Sequence, residues 1–157
     1  MIRFFVLELS HMIDDFLKGN EPDIYKRYLK DIWMMSDDQI ENKHNFIQWI
    51  FPLNIKSNAV PSSPILTKKE IISIKESETA QKNIKKSAKW FLEFLSSNSY
   101  WICQNNHNHY RITRVIKSLR LIHSNEEAEN FKNSIMNLIQ GNEKKINSTN
   151  IQYWKDS

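Results

Sequence analysis

The stretch Ser36–Leu53, SDDQIENKHNFIQWIFPL, decides the fold. Ser36 followed three residues later by Gln39 is a capping-box pattern, in which the serine oxygen and the glutamine side chain satisfy backbone N–H groups left open in a first helical turn. Asp37 and Asp38 then sit where the helix dipole favours negative charge. At the far end Pro52 lacks an N–H and pushes Phe51 out of the helical region. Between these marks Ile40, His44, Ile47 and Phe51 recur at helical spacing, which predicts one continuous helix from Ser36 to Phe51. Phe46 and Ile50 widen its apolar stripe, while Trp49 lies nearly opposite. A helix apolar on two sides is sandwiched between neighbours, so this one is expected at the centre.

On the N-terminal side, Ile2, Phe5, Val6, Leu9, Met12, Ile13, Phe16 and Leu17 form one apolar stripe, predicting a first helix over Met1–Lys18 stopped by Gly19 and Asn20. Glu8 and Asp14–Asp15 interrupt the run, which separates it from a signal peptide. The following EPDIYKRYLKDIWMM segment is short and aromatic, with Tyr25, Tyr28, Leu29, Ile32 and Trp33 expected in the core. Read from the residues alone, Arg27 there is a surface arginine pairing with Asp23 or Asp31.

On the C-terminal side, Leu53–Leu66 reads as a loop stiffened by Pro61 and Pro64. Thr67 with Glu70 is a second capping box opening a helix through Ile74, and the polar stretch Lys75–Lys82 predicts a break before the helical stripe resumes from Ile84 to Leu95. Lys82, Lys85, Lys86 and Lys89 form a basic row on that helix. Tyr100, Trp101 and Ile102 are expected to anchor a connector. Asn106 or Asn108 can cap a helix to about Ile122, with Ile112, Val115, Ile116, Leu119 and Ile122 on one face and Tyr110, Arg114 and Leu121 nearly opposite. A buried Arg114 would need an anion, either a carboxylate such as Asp31 or Glu41 or a ligand group. Glu126–Gln140 reads as another helix ending at Gly141, and Ile151 and Trp154 as a short helix docking onto the body. The expected fold is therefore all-α, a compact single-domain bundle of about five to seven helices with two central two-sided helices over residues 1–157.

Composition agrees. The chain of 157 residues is 40% hydrophobic and 11% aromatic, with two glycines and four prolines, so it can bury a core and has few forced turns. Lys and Arg number 22 against 18 acidic residues, a net charge of +4. The excess is mild and spread along the sequence, which disfavours a dedicated nucleic-acid interface. Cys103 is the single cysteine, so an intramolecular disulfide and Cys-rich zinc sites are excluded and a reducing, cytoplasmic location is expected. No segment approaches the ~20 apolar residues that span a bilayer.

Two motifs carry a resemblance. Asp31-Ile32-Trp33 followed by HNFIQWIFPL from His44 to Leu53, and NHNHYRITRVIKSLR from Asn106 to Arg120, resemble in order the two signatures of the opioid growth factor receptor conserved region. The resemblance implies a domain that binds a ligand or partner, and in the receptor that names the family the implied ligand is an opioid pentapeptide. It marks Arg27, His44, Asn45, Gln48, Asn58, Asn106, His107, Arg111 and Arg114 as candidate ligand-binding residues. Asn45 and Phe46 stand where the family commonly has aspartate and tyrosine, Ser63 where it has alanine, and His109 where it has tyrosine. Amides, imidazoles and arginines together suit a small anionic ligand, a peptide or a protein partner. The alternative for the same groups is a buried polar network that fixes helix register. No cofactor is implied, and His107 and His109 are spaced to point apart on a helix, which argues against a zinc pair. No catalytic motif stands out. The alternatives to a binding module are an enzyme acting on a small anionic substrate through His44, Arg111 and Arg114, and weak nucleic-acid binding through the Lys82–Lys89 row.

Overall fold

Among residues 13–157, those that the computed structural model describes, every regular element is a helix or a 3₁₀ turn, apart from an isolated bridge between Leu53 and Ile65. The fold is all-α, as predicted. The elements fall into two compact units, one up to Ser87 and one over Ala88–Ser157.

In the first unit, α1 covers residues 13–17. The rest of the predicted first helix, with His11, lies outside the described residues. Gly19 stops α1 at φ +81°, with Gly19 N–H donating to Phe16 O and Asn20 N–H to Asp15 O, the Schellman pattern that a left-handed glycine permits. The Asn83 amide adds a hydrogen bond to Leu17 O at 2.9 Å. Ile13, Phe16 and Leu17 are fully buried, Phe16 packing edge-on against Trp49 with ring centroids 5.6 Å apart. Helix α2, Leu29–Trp33, buries Leu29 and Ile32. Asp31 Oδ2 caps it by accepting from Tyr28 N–H at 2.8 Å.

The predicted Ser36–Phe51 helix is broken in two. Helix α3, Asp37–Asn42, begins with the expected capping box: Ser36 Oγ accepts from Gln39 N–H and Gln39 Oε1 from Ser36 N–H. It ends at Lys43, whose backbone is extended. Helix α4, Ile47–Ile50, follows with all four residues buried. The break opens at Lys43, and Asn45 falls inside it. In a continuous helix Asn45 O would accept from Trp49 N–H. Here the Arg27 guanidinium holds that carbonyl at 3.1 Å, and Trp49 N–H turns to Phe46 O instead.

Beyond Pro52 the loop is pinned by Leu66 N–H to Leu53 O, and the Ser63 hydroxyl donates to Val60 O at 2.6 Å. Helix α5, Lys68–Glu76, starts at the Thr67–Glu70 capping box. The predicted break after it is narrower than expected. Ser77 alone interrupts, its Oγ accepting from Ala80 N–H, and α6 runs over Glu78–Ser97. The polar residues before Ile84 are therefore helical, because one serine is enough to cap a new start.

In the second unit the end of α6 contributes buried Phe91, Phe94 and Leu95. A 3₁₀ turn over Ser99–Trp101 places the Trp101 indole N–H on Leu95 O at 2.8 Å. Helix α7, His107–Ile122, packs against α8, Asn125–Leu138, and α9, Ser148–Asp156. Ser124 caps α8, and Asn147 caps α9. Gly141 follows α8 at φ +83°, as its expected stop. Trp154 on α9 is fully buried, donating to His109 O at 3.0 Å. Tyr25, Tyr28, Tyr100 and Tyr110, expected to contribute apolar faces, are exposed instead. Their hydroxyls can keep to water while neighbouring Leu29, Trp101 and Ile112 fill the interior.

Candidate functional site

The residues singled out by the sequence divide between the two units. In the first, Arg27 and Asn45 come together around a buried carboxylate. Asp23 is 2% exposed, and its Oδ1 accepts from Tyr25 N–H at 2.8 Å and Arg27 N–H at 3.0 Å. Its Oδ2 receives Arg27 Nε at 2.8 Å and Nη2 at 2.7 Å. Such a tight loop forces Lys26 to φ +62°. Arg27 Nη1 then donates to Asn45 Oδ1 at 2.9 Å, and Nη2 to Asn45 O. A forked guanidinium thus ties the Asp23 loop to the α3–α4 break, geometry that a lysine could not supply. Of the two carboxylates considered as partners for Arg27, Asp23 is the one it pairs with, in a largely buried contact.

Gln48 lies on α4, 5% exposed. Its Oε1 has no hydrogen-bond partner among the described residues, a costly state for a buried amide. His44 and Asn58 are exposed, His44 in the break before α4 and Asn58 in the loop after it.

In the second unit the candidates sit on the first half of α7. Asn106 is the cap, its Oδ1 accepting from Asn108 N–H at 2.9 Å. Arg111 is buried, Nη1 donating to buried Asn108 Oδ1 at 3.1 Å. His107, Arg111 and Arg114 follow at i, i+4 and i+7, one face of the helix. Burial lowers the Arg114 pKa to about 10, so it stays cationic at neutral pH while losing hydration.

His109 is a core residue. Its ring stands edge-on to Trp101 and Trp154, and both nitrogens are engaged: Nε2 at 2.8 Å from Trp101 O and Nδ1 at 3.0 Å from the Asn150 amide nitrogen. A carbonyl can only accept and an amide nitrogen only donate, so the imidazole is neutral with its proton on Nε2. Desolvation accordingly pushes its pKa down, the Trp101 hydrogen bond opposing in part.

The sequence did not point to an open groove of about 560 Å³ in the second unit. Met136, Ile146 and Ile151 line it together with Glu143, Lys144 and Lys155. None of the nine candidates does. Its walls come from residues 136–155 with Gln104 added from ahead of α7, and none of the motifs covers that stretch.

Residues 15–100 match the family described as the opioid growth factor receptor conserved region, more than half of the chain. The chain belongs to that family. It is 29% identical to the opioid growth factor receptor of Mus musculus over 105 residues, a match covering 55% of this chain and 16% of the mouse receptor. The match thus takes in less than a fifth of that receptor's length. No solved structure matches the chain. The Arg27–Asn45 cluster and Gln48 fall within the matched conserved region, whereas α7 lies beyond its end. No described helix is long and apolar enough to cross a membrane.

Proposed function

We propose that this opioid growth factor receptor-like chain is a binding module for an anionic ligand, recognised by the face of α7 that carries His107, Arg111 and Arg114. The observation that supports it most is the placement of two arginines three residues apart on one helix face, Arg111 buried and aimed by Asn108. Guanidinium groups removed from water gain most from a carboxylate or phosphate, which they grip through paired N–H donors. The Arg27–Asn45 cluster is committed to Asp23 and to the backbone, and is read as framework. Exposed His44 gives the enzymatic alternative no enclosed base.

A thermal-shift screen tests this with dicarboxylates, nucleotides, phosphorylated metabolites and opioid pentapeptides, the last because the family resemblance implies such a ligand. A ligand at 100 times its Kd stabilises the native state by about 2.7 kcal/mol, a rise of roughly 5–10 °C in midpoint for a chain of this size. The rise is expected to vanish in Arg114→Ala and to return in part in Arg114→Lys. A panel without any shift, or a shift equal in wild type, Arg111→Lys and Arg114→Ala, rejects the α7 site.

A further inference from the structure

We infer that the side of α2 carrying Lys30, Trp33 and Met34, extended by Tyr28 and Lys86, docks an acidic, apolar segment of a partner protein. Lys30, Trp33 and Met34 are spaced i, i+3 and i+4, so they share one side of the short helix, while Leu29 and Ile32 point into the core. Met34 is 82% exposed, an adaptable apolar side chain left against water. Trp33 is half-buried, and its edge is fixed by the indole N–H donating to Ser87 Oγ at 2.9 Å. Lys86 lies over its ring at 4.2 Å, and Lys30 lies over Tyr28 at 5.8 Å. In the preceding loop Arg27 covers Tyr25 at 4.9 Å. Three cation–ring pairs thus use rings from the short stretch Tyr25–Trp33, where about one per 70–80 residues is ordinary.

These pairs hold ammonium groups at fixed places beside exposed apolar surface. Lys30 and Lys86 are themselves exposed. The complementary partner presents carboxylates next to aliphatic or aromatic side chains, the carboxylates meeting the lysines and the apolar groups covering Met34 and Tyr28. A single-stranded nucleic acid fits less well. Base stacking needs open ring faces, and here cations already lie over the Trp33 and Tyr28 rings. The inference stands apart from the α7 reading, since it uses other residues.

Fluorescence anisotropy with a labelled synthetic peptide alternating Glu and Asp with Leu and Phe provides the test, beside a peptide with Lys in place of the acids and an oligouridine. Wild type is expected to bind the acidic peptide saturably, more weakly at high salt. Lys30→Glu with Lys86→Glu is expected to weaken it at least tenfold, and Met34→Ser several-fold, with a fall of no more than a few degrees in thermal midpoint, because these positions are exposed and only the two cation–ring contacts are lost. Binding that persists in Arg114→Ala supports docking at α2. Absence of saturable binding, equal affinity in the charge-reversed variant, loss in Arg114→Ala alone, or tighter binding of oligouridine would each overturn the proposal.

Discussion

His109 lies within the polar stretch from Asn106 to Arg111, and its ring closes a cluster with Trp101 and Trp154. Its protonation has a definite consequence for stability. Folding lowers the pKa from 6.5, so the unfolded chain holds the proton more tightly than the folded one. The contribution is complete above pH 6.5 and is lost as pH falls below it toward the folded-state value. A proton on Nδ1 would set two donors face to face at Asn150. His109→Phe is expected to flatten the acid side of the stability–pH curve. At neutral pH it should cost about 1–3 kcal/mol for the hydrogen bonds it removes. Urea titrations between neutral and mildly acid pH would show this, and an unchanged acid slope in the variant would refute the assignment.

At the scale of elements, much of the helix pattern was legible because its punctuation is local. The Ser36–Gln39 and Thr67–Glu70 boxes, the Gly19 and Gly141 stops and the Asn106 cap each act within a few residues. The interruption between α3 and α4 was not legible, since the group that bonds to Asn45 O inside it is Arg27, distant in sequence. The sandwiched character of the stretch survives in α4, buried throughout. For the candidate site, family motifs located Arg27 and Asn45 but not the buried carboxylate of Asp23 that Arg27 ties to Asn45. Removing the guanidinium leaves that carboxylate buried without its cation, and such losses cost about 3–5 kcal/mol. Arg27→Ala is therefore expected to be among the most destabilising single changes in the first unit, with Arg27→Lys recovering a minor part because one ammonium cannot span Asp23 and Asn45 together. Chemical denaturation would measure both. A loss below about 1 kcal/mol, ordinary for a surface ion pair, would show that the clamp is dispensable.

At the scale of the whole chain, the conserved region and the physical units have different borders. The family match ends at residue 100, whereas the second unit begins at Ala88 and runs to Ser157. Phe91, Phe94 and Leu95 thus belong by sequence to the matched region and by contact to a unit whose other elements follow it. Trp101, just past the border, supplies the indole that satisfies Leu95 O at the end of α6. A chain cut after Tyr100 loses that cap and every later helix. If those three side chains then face water, the loss at about 1.5–3 kcal/mol each is roughly 5–9 kcal/mol, comparable to the whole stability of an ordinary domain. Residues 1–100 alone are therefore expected to lack a cooperative thermal transition and to bind a hydrophobic dye, while the full chain unfolds sharply. Cooperative unfolding of the shorter chain would mean that the conserved region is self-sufficient and that α7–α9 are an addition to it. Failure to fold would make the second unit part of what any binding assay on this family member must contain.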